Sequence, residues 1–356
     1  MWRLLVLPCD GIGPEITLAA VKVLQRATAI HRLSIVFHYD LVGFDSLQRY
    51  GSTLRTEVLE RAREYDGIIL GTQAHAQYPP PEQGGRNVSA GFRIGLDLYA
   101  NCRPVKTYAG VTSNMRTGKT MDLVIMREAT EGFYPDRNMF HGWGEWMPSP
   151  DMALSMRKIT RMGCERIARK AFQLAEERRQ KVTAVHKVNS FHVTDGLFME
   201  CVRKVAQEFP TVALDDLLVD AAAAHLVRTP ERFDVLVTTN LYGDILSDLA
   251  SELSGSLGLG AAVMMSDTHC CAQAQHGSAP DIAGKDQANP TSMILSTSML
   301  LRWLGRKHSA PYLLDAARSI DQAVITALAN PVNHTADLGG HNSCSGFTDA
   351  VVALLK

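Results

Sequence analysis

One stretch, Phe233 to Gly260, limits the possible folds of this chain more than any other. It reads FDVLVTTNLYGDILSDLASELSGSLGLG. Its β-branched run, Val235 to Thr239, has the length of a buried strand. Asn240 ends that run, Gly243 permits a tight turn, and Asp244 to Leu249 reads as the start of a helix. Asp244 and Asp248 lie four apart and so project from one helical face, about a turn apart. A strand that ends in a loop and releases a helix with two carboxylates suits a hard divalent cation. Mg2+ and Mn2+ want oxygen ligands and keep room for waters and substrate oxygens. The same spacing also suits one carboxylate at the positive end of a helix and one solvated aspartate.

The rest of the chain repeats this alternation of strand and helix. Arg3–Leu7, Leu33–Tyr39, Asp66–Gly71, Asp122–Met126 and Val182–Val185 read as strands. Ile16–Ala29, the basic stretch Arg157–Gln180 and the apolar stretch Pro290–Trp303 read as helices, and Asp215–Val227 as a short turn or strand plus a helix. Such alternation predicts an α/β fold, and 356 residues suggest about two domains. After the first strand, Gly11-Ile12-Gly13 runs straight into Pro14, with no third glycine, so the dinucleotide fingerprint of a Rossmann unit is not met. Tyr78–Gly85, YPPPEQGG, is a loop. The Gly-, Pro- and Trp-rich span from Phe133 to Pro150 fits neither helix nor strand.

A net charge of -1 argues against nucleic acid or a membrane surface as partner. No apolar run is long enough to span a bilayer, and the N-terminal apolar run is too short for a signal-peptide core. Seven cysteines without a CxxC spacing give neither a zinc pattern nor an even disulfide set, so a reducing cytoplasmic location is expected.

Three arginines, Arg93, Arg103 and Arg127, stand where helices or strands begin or end. Guanidinium forks grip carboxylates in bidentate geometry. Each alone is equally an ordinary surface ion pair, but three of them beside a metal site make a di- or tricarboxylic acid substrate plausible. Lys187, at a strand end, is either a catalytic base or a surface lysine. The loop His276–Lys285, HGSAPDIAGK, offers backbone N–H groups to phosphates or an adenosine.

Several of these segments together resemble the isocitrate/isopropylmalate dehydrogenase family of metal-dependent β-decarboxylating dehydrogenases. They are DGIGPEI from Asp10, LDLYANCRPV from Leu96, and Arg127-Glu128 with Thr130-Glu131-Gly132 and Tyr134. Lys187 with Asn189, Val219-Asp220, TNLYGDILSD from Thr239, HGSAPDIAGKDQANP from His276, and Asp337-Leu338-Gly339-Gly340 complete the set. The resemblance implies a two-domain α/β fold that is not Rossmann. Residues 1-98 with 256-356 would carry the dinucleotide. Residues 99-255 would form the central dimerisation and catalytic domain, with an intersubunit arm near 133-150. It implies Asp244 and Asp248 as Mg2+ or Mn2+ ligands, joined by Asp220 from the partner subunit of a homodimer. Arg93, Arg103 and Arg127 would clamp the malate-like carboxylates, with Tyr134 and the partner's Lys187 moving protons. NAD would lie against Ile12, His276, Gly277, Ser278, Ala279, Asp281, Asn289 and Asp337, and Asp281 would favour NAD over NADP by accepting the ribose hydroxyls.

Departures from the family pattern bear on the substrate. Relatives usually carry Glu where Gln273 stands, and decarboxylating isocitrate enzymes carry Ser where Asn87 stands. Residues just before the first clamp arginine line the pocket for the substituent on substrate C3. Here they are Arg86, Asn87 and Ser89, then Ala90 and Gly91. Burying such polar groups against an isopropyl group would leave donors unpaired, at roughly 1–3 kcal/mol each. Isocitrate, homoisocitrate, D-malate or tartrate are therefore expected ahead of 3-isopropylmalate. A 3-isopropylmalate dehydrogenase, a non-catalytic regulatory subunit of the same fold, and a related non-decarboxylating or phosphorylated-substrate dehydrogenase are the alternatives.

Overall fold

The computed structural model describes residues 1–115 and 118–356. Its first third alternates β1 (Trp2–Leu7), α1 (Gly13–Ile30), β2 (Ile35–Tyr39), α2 (Phe44–Tyr50), α3 (Thr56–Ala62), β3 (Gly67–Leu70) and α4 (Val88–Gly95). The middle runs through β4 (Ala100–Lys106), β5 (Asp122–Glu128), the hairpin β6 (Glu145–Ser149) and β7 (Met152–Ser155), and α5 (Arg161–Glu176). It continues with β8 (Lys181–His186), α6 (Thr194–Ala206), β9 (Ala213–Leu218), α7 (Val219–Arg228), β10 (Val235–Thr238) and α8 (Asn240–Ser254). The chain ends with β11 (Val263–Met265), β12 (Cys270–Gln273), α9 (Thr291–Lys307), α10 (Pro311–Leu328) and α11 (Cys344–Leu354).

Ten strands make one sheet in the order β2-β1-β3-β12-β11-β4-β5-β10-β8-β9. Both outer parts are parallel, whereas β11 is antiparallel to both its neighbours and β4 is antiparallel to β5. That reversal at the centre sets the sheet apart from the all-parallel order of a Rossmann fold. Strands from residues 1–98 and 256–356 fill one end, those from 99–255 the other, and they meet where Val263, Met264 and Met265 pair with Cys102, Asn101 and Ala100.

The two faces of this sheet are packed differently. On one face a single apolar cluster runs from Leu4 and Val6 through Cys102, Val124 and Met126 to Val182 and Val237, covered by α1, α5, α9 and their neighbours. On the other face the core is divided. One part packs Leu5, Leu7 and Leu70 with Phe92 of α4, and a second packs Val105, Ile125 and Leu236 with Leu246 of α8. Side chains alternate across a strand, so Arg103 on β4 and Arg127 on β5 project to the divided face, between its two cores. Polar residues where a core would otherwise continue leave a cleft there.

Several local expectations need correction. The helix after β10 begins at Asn240, not Asp244, so Gly243 lies in its first turn rather than in a tight turn. A Cβ at Gly243 would come within 2.7 Å of Arg127 Cβ and Cγ, so the glycine is there for close packing. Arg103 sits mid-strand rather than at a strand start, whereas Arg93 lies in the last turn of α4 and Arg127 next to the end of β5. The basic helix spans Arg161–Glu176, because the Thr160 hydroxyl caps its N-terminus by accepting from Gly163 N. The helix expected from Pro290 to Trp303 runs on to Lys307. The span around Trp146 forms the exposed β6–β7 hairpin, with Phe140, Trp143 and Met147 also open to solvent.

Candidate active site

The cleft between the two cores has a volume of about 830 Å³. It is lined by Arg86, Asn87, Ser89, Arg93, Arg103, Arg127, Tyr134 and Asp244, eight of the residues singled out in the sequence. Gln73, His75, Tyr78, Trp143 and Arg137 line it as well. Arg137 lies in a stretch that reads as irregular loop, and no periodic signal marks it. Its guanidinium sits 4.9 Å from the Tyr134 ring centre and is neutralised by the adjacent Asp136, at 2.8 and 3.1 Å.

The start of α8 holds the floor together. Asn240 accepts from Arg127 Nε at 2.8 Å and donates to Glu131 O at 2.7 Å. Arg103 Nη1 donates to Ser247 Oγ at 2.7 Å, to Asp244 Oδ1 at 3.1 Å and to Asp248 Oδ1 at 3.4 Å. Arg127 pairs with Asp244 through Nη1 and donates through Nη2 to the Tyr134 hydroxyl at 3.0 Å. That hydroxyl donates in turn to Asp244 Oδ2 at 3.0 Å. Burial pushes the Tyr134 phenol up against the pull of Arg127, so it keeps its proton at neutral pH. Burial also works to raise Asp244, but Arg127 and Arg103 outweigh it and hold the carboxyl below its usual range.

Positive charge is concentrated here. Burial, then Arg127, Arg137 and Arg103, push the Arg93 guanidinium down to about 9, and burial with Arg127 pushes Arg103 down to about 10. Arginine holds its proton throughout the working range. The shifts express first the cost of burying these charges and then their mutual repulsion, both of which an incoming carboxylate would offset. Among the described residues Arg93 has only a thioether as its partner, Met264 Sδ at 3.0 Å from Nε, and is the clamp arginine most ready to take up an anion.

Asp244 and Asp248 offer oxygen donors one turn apart, and Gln275 Nε2 holds Asp248 at 2.9 Å. This donor set fits a hard divalent cation. Asp220 does not join them within one chain. It pairs with Lys187 at 2.9 Å, and neither residue lines the cleft. Among the described residues, three potential metal ligands of one chain converge at Glu15, Asp286 and Cys344, whose ligand atoms lie within 4.8 Å of one another. Glu15 there accepts from Gly284 N at 3.0 Å and Asp286 from Ser345 N at 2.8 Å, while burial pushes the Cys344 thiol up to about 12. A cation at that position would have to displace the thiol proton, whereas Glu15 Oε2 is buried without a hydrogen-bond partner among the described residues.

The loop from His276 to Lys285 packs onto the β1–α1 turn. Ile12 N donates to Ser278 O at 2.9 Å. Gly11, at φ 59°, approaches so closely that a Cβ would lie 2.1 Å from that same oxygen. His276 Nε2 is buried without a partner among the described residues, an orphan that an adenine or ribose edge could satisfy. Gly277 has nothing within 4 Å of its Cβ position, and Asp281 is exposed. Asp337 is not free. It accepts from Ser256 and Thr335 hydroxyls at 2.5 Å and from Asn289 Nδ2 at 3.0 Å, tying down the wall behind the loop.

Comparison with known proteins agrees with this geometry. Residues 3–351 match the family described as isocitrate/isopropylmalate dehydrogenase. The isocitrate/homoisocitrate dehydrogenase of Thermus thermophilus is 39% identical over 356 residues, covering 100% of this chain and 99% of the relative. The 3-isopropylmalate dehydrogenase of Archaeoglobus fulgidus is 37% identical over 358 residues and covers 100% of both chains. Among solved structures, isocitrate dehydrogenase from Methylococcus capsulatus superposes with a TM-score of 0.88 at 37% identity, covering 100% of this chain and 99% of its own.

Proposed function

The chain belongs to the isocitrate/isopropylmalate dehydrogenase family of metal-dependent β-decarboxylating dehydrogenases, and from that premise we propose an NAD-dependent enzyme acting on a malate with an oxygen-bearing or no substituent at C3. Isocitrate, homoisocitrate, D-malate and tartrate are the candidate acids. The observation that carries this reading is the cleft itself. Arg93, Arg103, Arg127 and Arg137 converge on a space that also holds Asp244 and the protonated Tyr134. Its substituent wall is polar, with Arg86, Asn87 and Ser89 in it.

Bound at Asp244 and Asp248, Mg2+ or Mn2+ would stabilise charge on the substrate oxygens, and bound NAD would accept hydride. The protein's own groups do the rest. The arginines orient the two carboxylates and fix the C2–H bond toward the cofactor loop, a gain in positioning as well as charge. Lys187 of the partner subunit takes the hydroxyl proton. Tyr134 returns a proton to carbon after CO2 leaves, and Arg127 steadies the phenolate it becomes.

Lys187 and Asp220 need a second copy to reach the cleft, so the reading includes a homodimer with shared sites. The exposed hairpin with Trp143, Trp146 and Met147 is its contact arm. Residues 1-98 with 256-356 form the NAD-binding unit, residues 99-255 the dimerising one. NADH formation followed at 340 nm, with Mn2+ and each acid in turn, tests the reading. NAD is expected to exceed NADP by at least about tenfold in kcat/KM. A higher kcat/KM for 3-isopropylmalate than for all four named acids would replace the substrate assignment. No turnover of any of them would remove the enzyme assignment.

A further inference from the structure

We propose that Gln273 is a positioning residue that sets the substituent wall of the cleft through Ser89. The inference rests on the function proposed above and deepens it. Gln273 ends β12 below the start of α4. The Ser89 hydroxyl, on a residue only 4% exposed, donates to Gln273 Oε1 at 3.0 Å. Gln273 Nε2 donates to Gly71 O at 3.4 Å. Only an amide nitrogen can face that carbonyl, so the orientation of the side chain is fixed by its partners.

The same serine continues the chain of bonds. Ser89 N donates to Gln73 Oε1 at 3.0 Å, and Gln73 Nε2 donates to Asn87 Oδ1 at 3.0 Å. Asn87 Oδ1 also caps α4 by accepting from Ala90 N at 3.0 Å. Two glutamines thus lock the first turn of the helix that carries Arg93, without using a charge. The Asn87 carbonyl, which already accepts twice, is then not free for a ligand, and the Ser89 hydroxyl has spent its proton on Gln273 and can only accept. What Asn87 still offers is its Nδ2 donor pair. The donors that line the wall, the Asn87 amide and the Arg86 guanidinium, suit an oxygen acceptor on the substrate's C3 substituent.

A carboxylate at position 273 could accept from Ser89 but could not donate to Gly71 O. It would set two acceptors against each other. A protonated carboxyl would restore both bonds. This makes Gln273→Glu a diagnostic variant, because its behaviour should follow its protonation.

The test is titration calorimetry of the best acid from the substrate panel with Mn2+, alongside thermal melting without ligand. Gln273→Leu and Ser89→Ala are each expected to weaken binding about tenfold. The double variant should be no weaker than either single one, because both break one linkage. Gln273→Glu should bind weakly at pH 8 and recover toward the wild-type affinity measured at the same pH as pH falls to 5. Multiplying losses in the double variant, or a Gln273→Glu ratio to wild type that does not change with pH, would overturn the proposal. If Gln273→Leu fails to melt cooperatively, Ser89→Ala and the pH series decide. A wild-type protein that binds no malate-type acid overturns the functional reading and this inference together. Normal wild-type binding with unaffected variants overturns the inference alone.

Discussion

Replacing Arg157 with methionine should cost far more stability than removal of any surface ion pair. Arg157 Nη1 lies 2.5 Å from Asp195 Oδ1, with the two side chains 6% and 0% exposed. Asp195 Oδ2 accepts from Lys187 N at 2.6 Å, so the same carboxylate anchors the backbone of the proposed base. Arg157 also donates to Thr239 at 3.0 Å and lies 5.2–5.4 Å from the ring centres of Phe133, Phe191 and Tyr242. Methionine keeps most of the stem and its contact with those rings but leaves Asp195 buried without a cation. Breaking a buried pair on one side costs about 3–5 kcal/mol. A sulfur–aromatic contact returns about 0.3–1.5 kcal/mol, so the net loss is roughly 1.5–5 kcal/mol. Urea unfolding at fixed protein concentration measures it, since the apparent stability of the proposed dimer would depend on concentration. Adding Asp195→Asn to Arg157→Met should recover at least half of the loss, because the amide is neutral and still accepts from Lys187 N. A loss below about 1 kcal/mol for Arg157→Met, the range of an exposed pair, would refute the reasoning.

Gly243→Ala forces a methyl against Arg127 Cβ and Cγ, and should lower kcat/KM at least about 100-fold while costing about 1–3 kcal/mol of stability in the same unfolding assay. Lys187→Ala and Asp244→Asn should each be nearly inactive alone, whereas mixed dimers regain activity because one of their two sites is intact; hybrids as inactive as their parents would place Lys187 in its own subunit's site. Burial lowers the His276 imidazole below its ordinary 6.5. On acidification the unfolded chain therefore takes up this proton first, and stability is lost as pH falls from about 6.5 through the lowered value. The melting temperature should drop less between pH 7.5 and 5.5 in His276→Gln than in the wild type.

Much of the site was legible in the linear sequence because local chemistry encodes it. The strand–helix alternation shows in residue periodicity, and Asp244 and Asp248 share a face because the helix repeat requires it. Segments such as TNLYGDILSD and HGSAPDIAG carried the family resemblance, and residues 3–351 match that family. Other features depend on residues that are distant in sequence. Arg137 counts only because the chain folds back to set it, with the nearby Tyr134, beside Arg93. Gly243 reads as a turn until Arg127, 116 positions earlier, packs across it. The polar character of Ser89 and Asn87 was visible, but not that Gln273 and Gln73 already use their groups, since hydrogen-bond partners on segments far apart in sequence leave no periodic trace. The cleft itself arises from a tertiary difference. One face of the sheet packs a continuous core, whereas the other is interrupted where Arg103 and Arg127 replace apolar side chains. Only the pairing of β4 with both β11 and β5 places that interruption between α4 and α8.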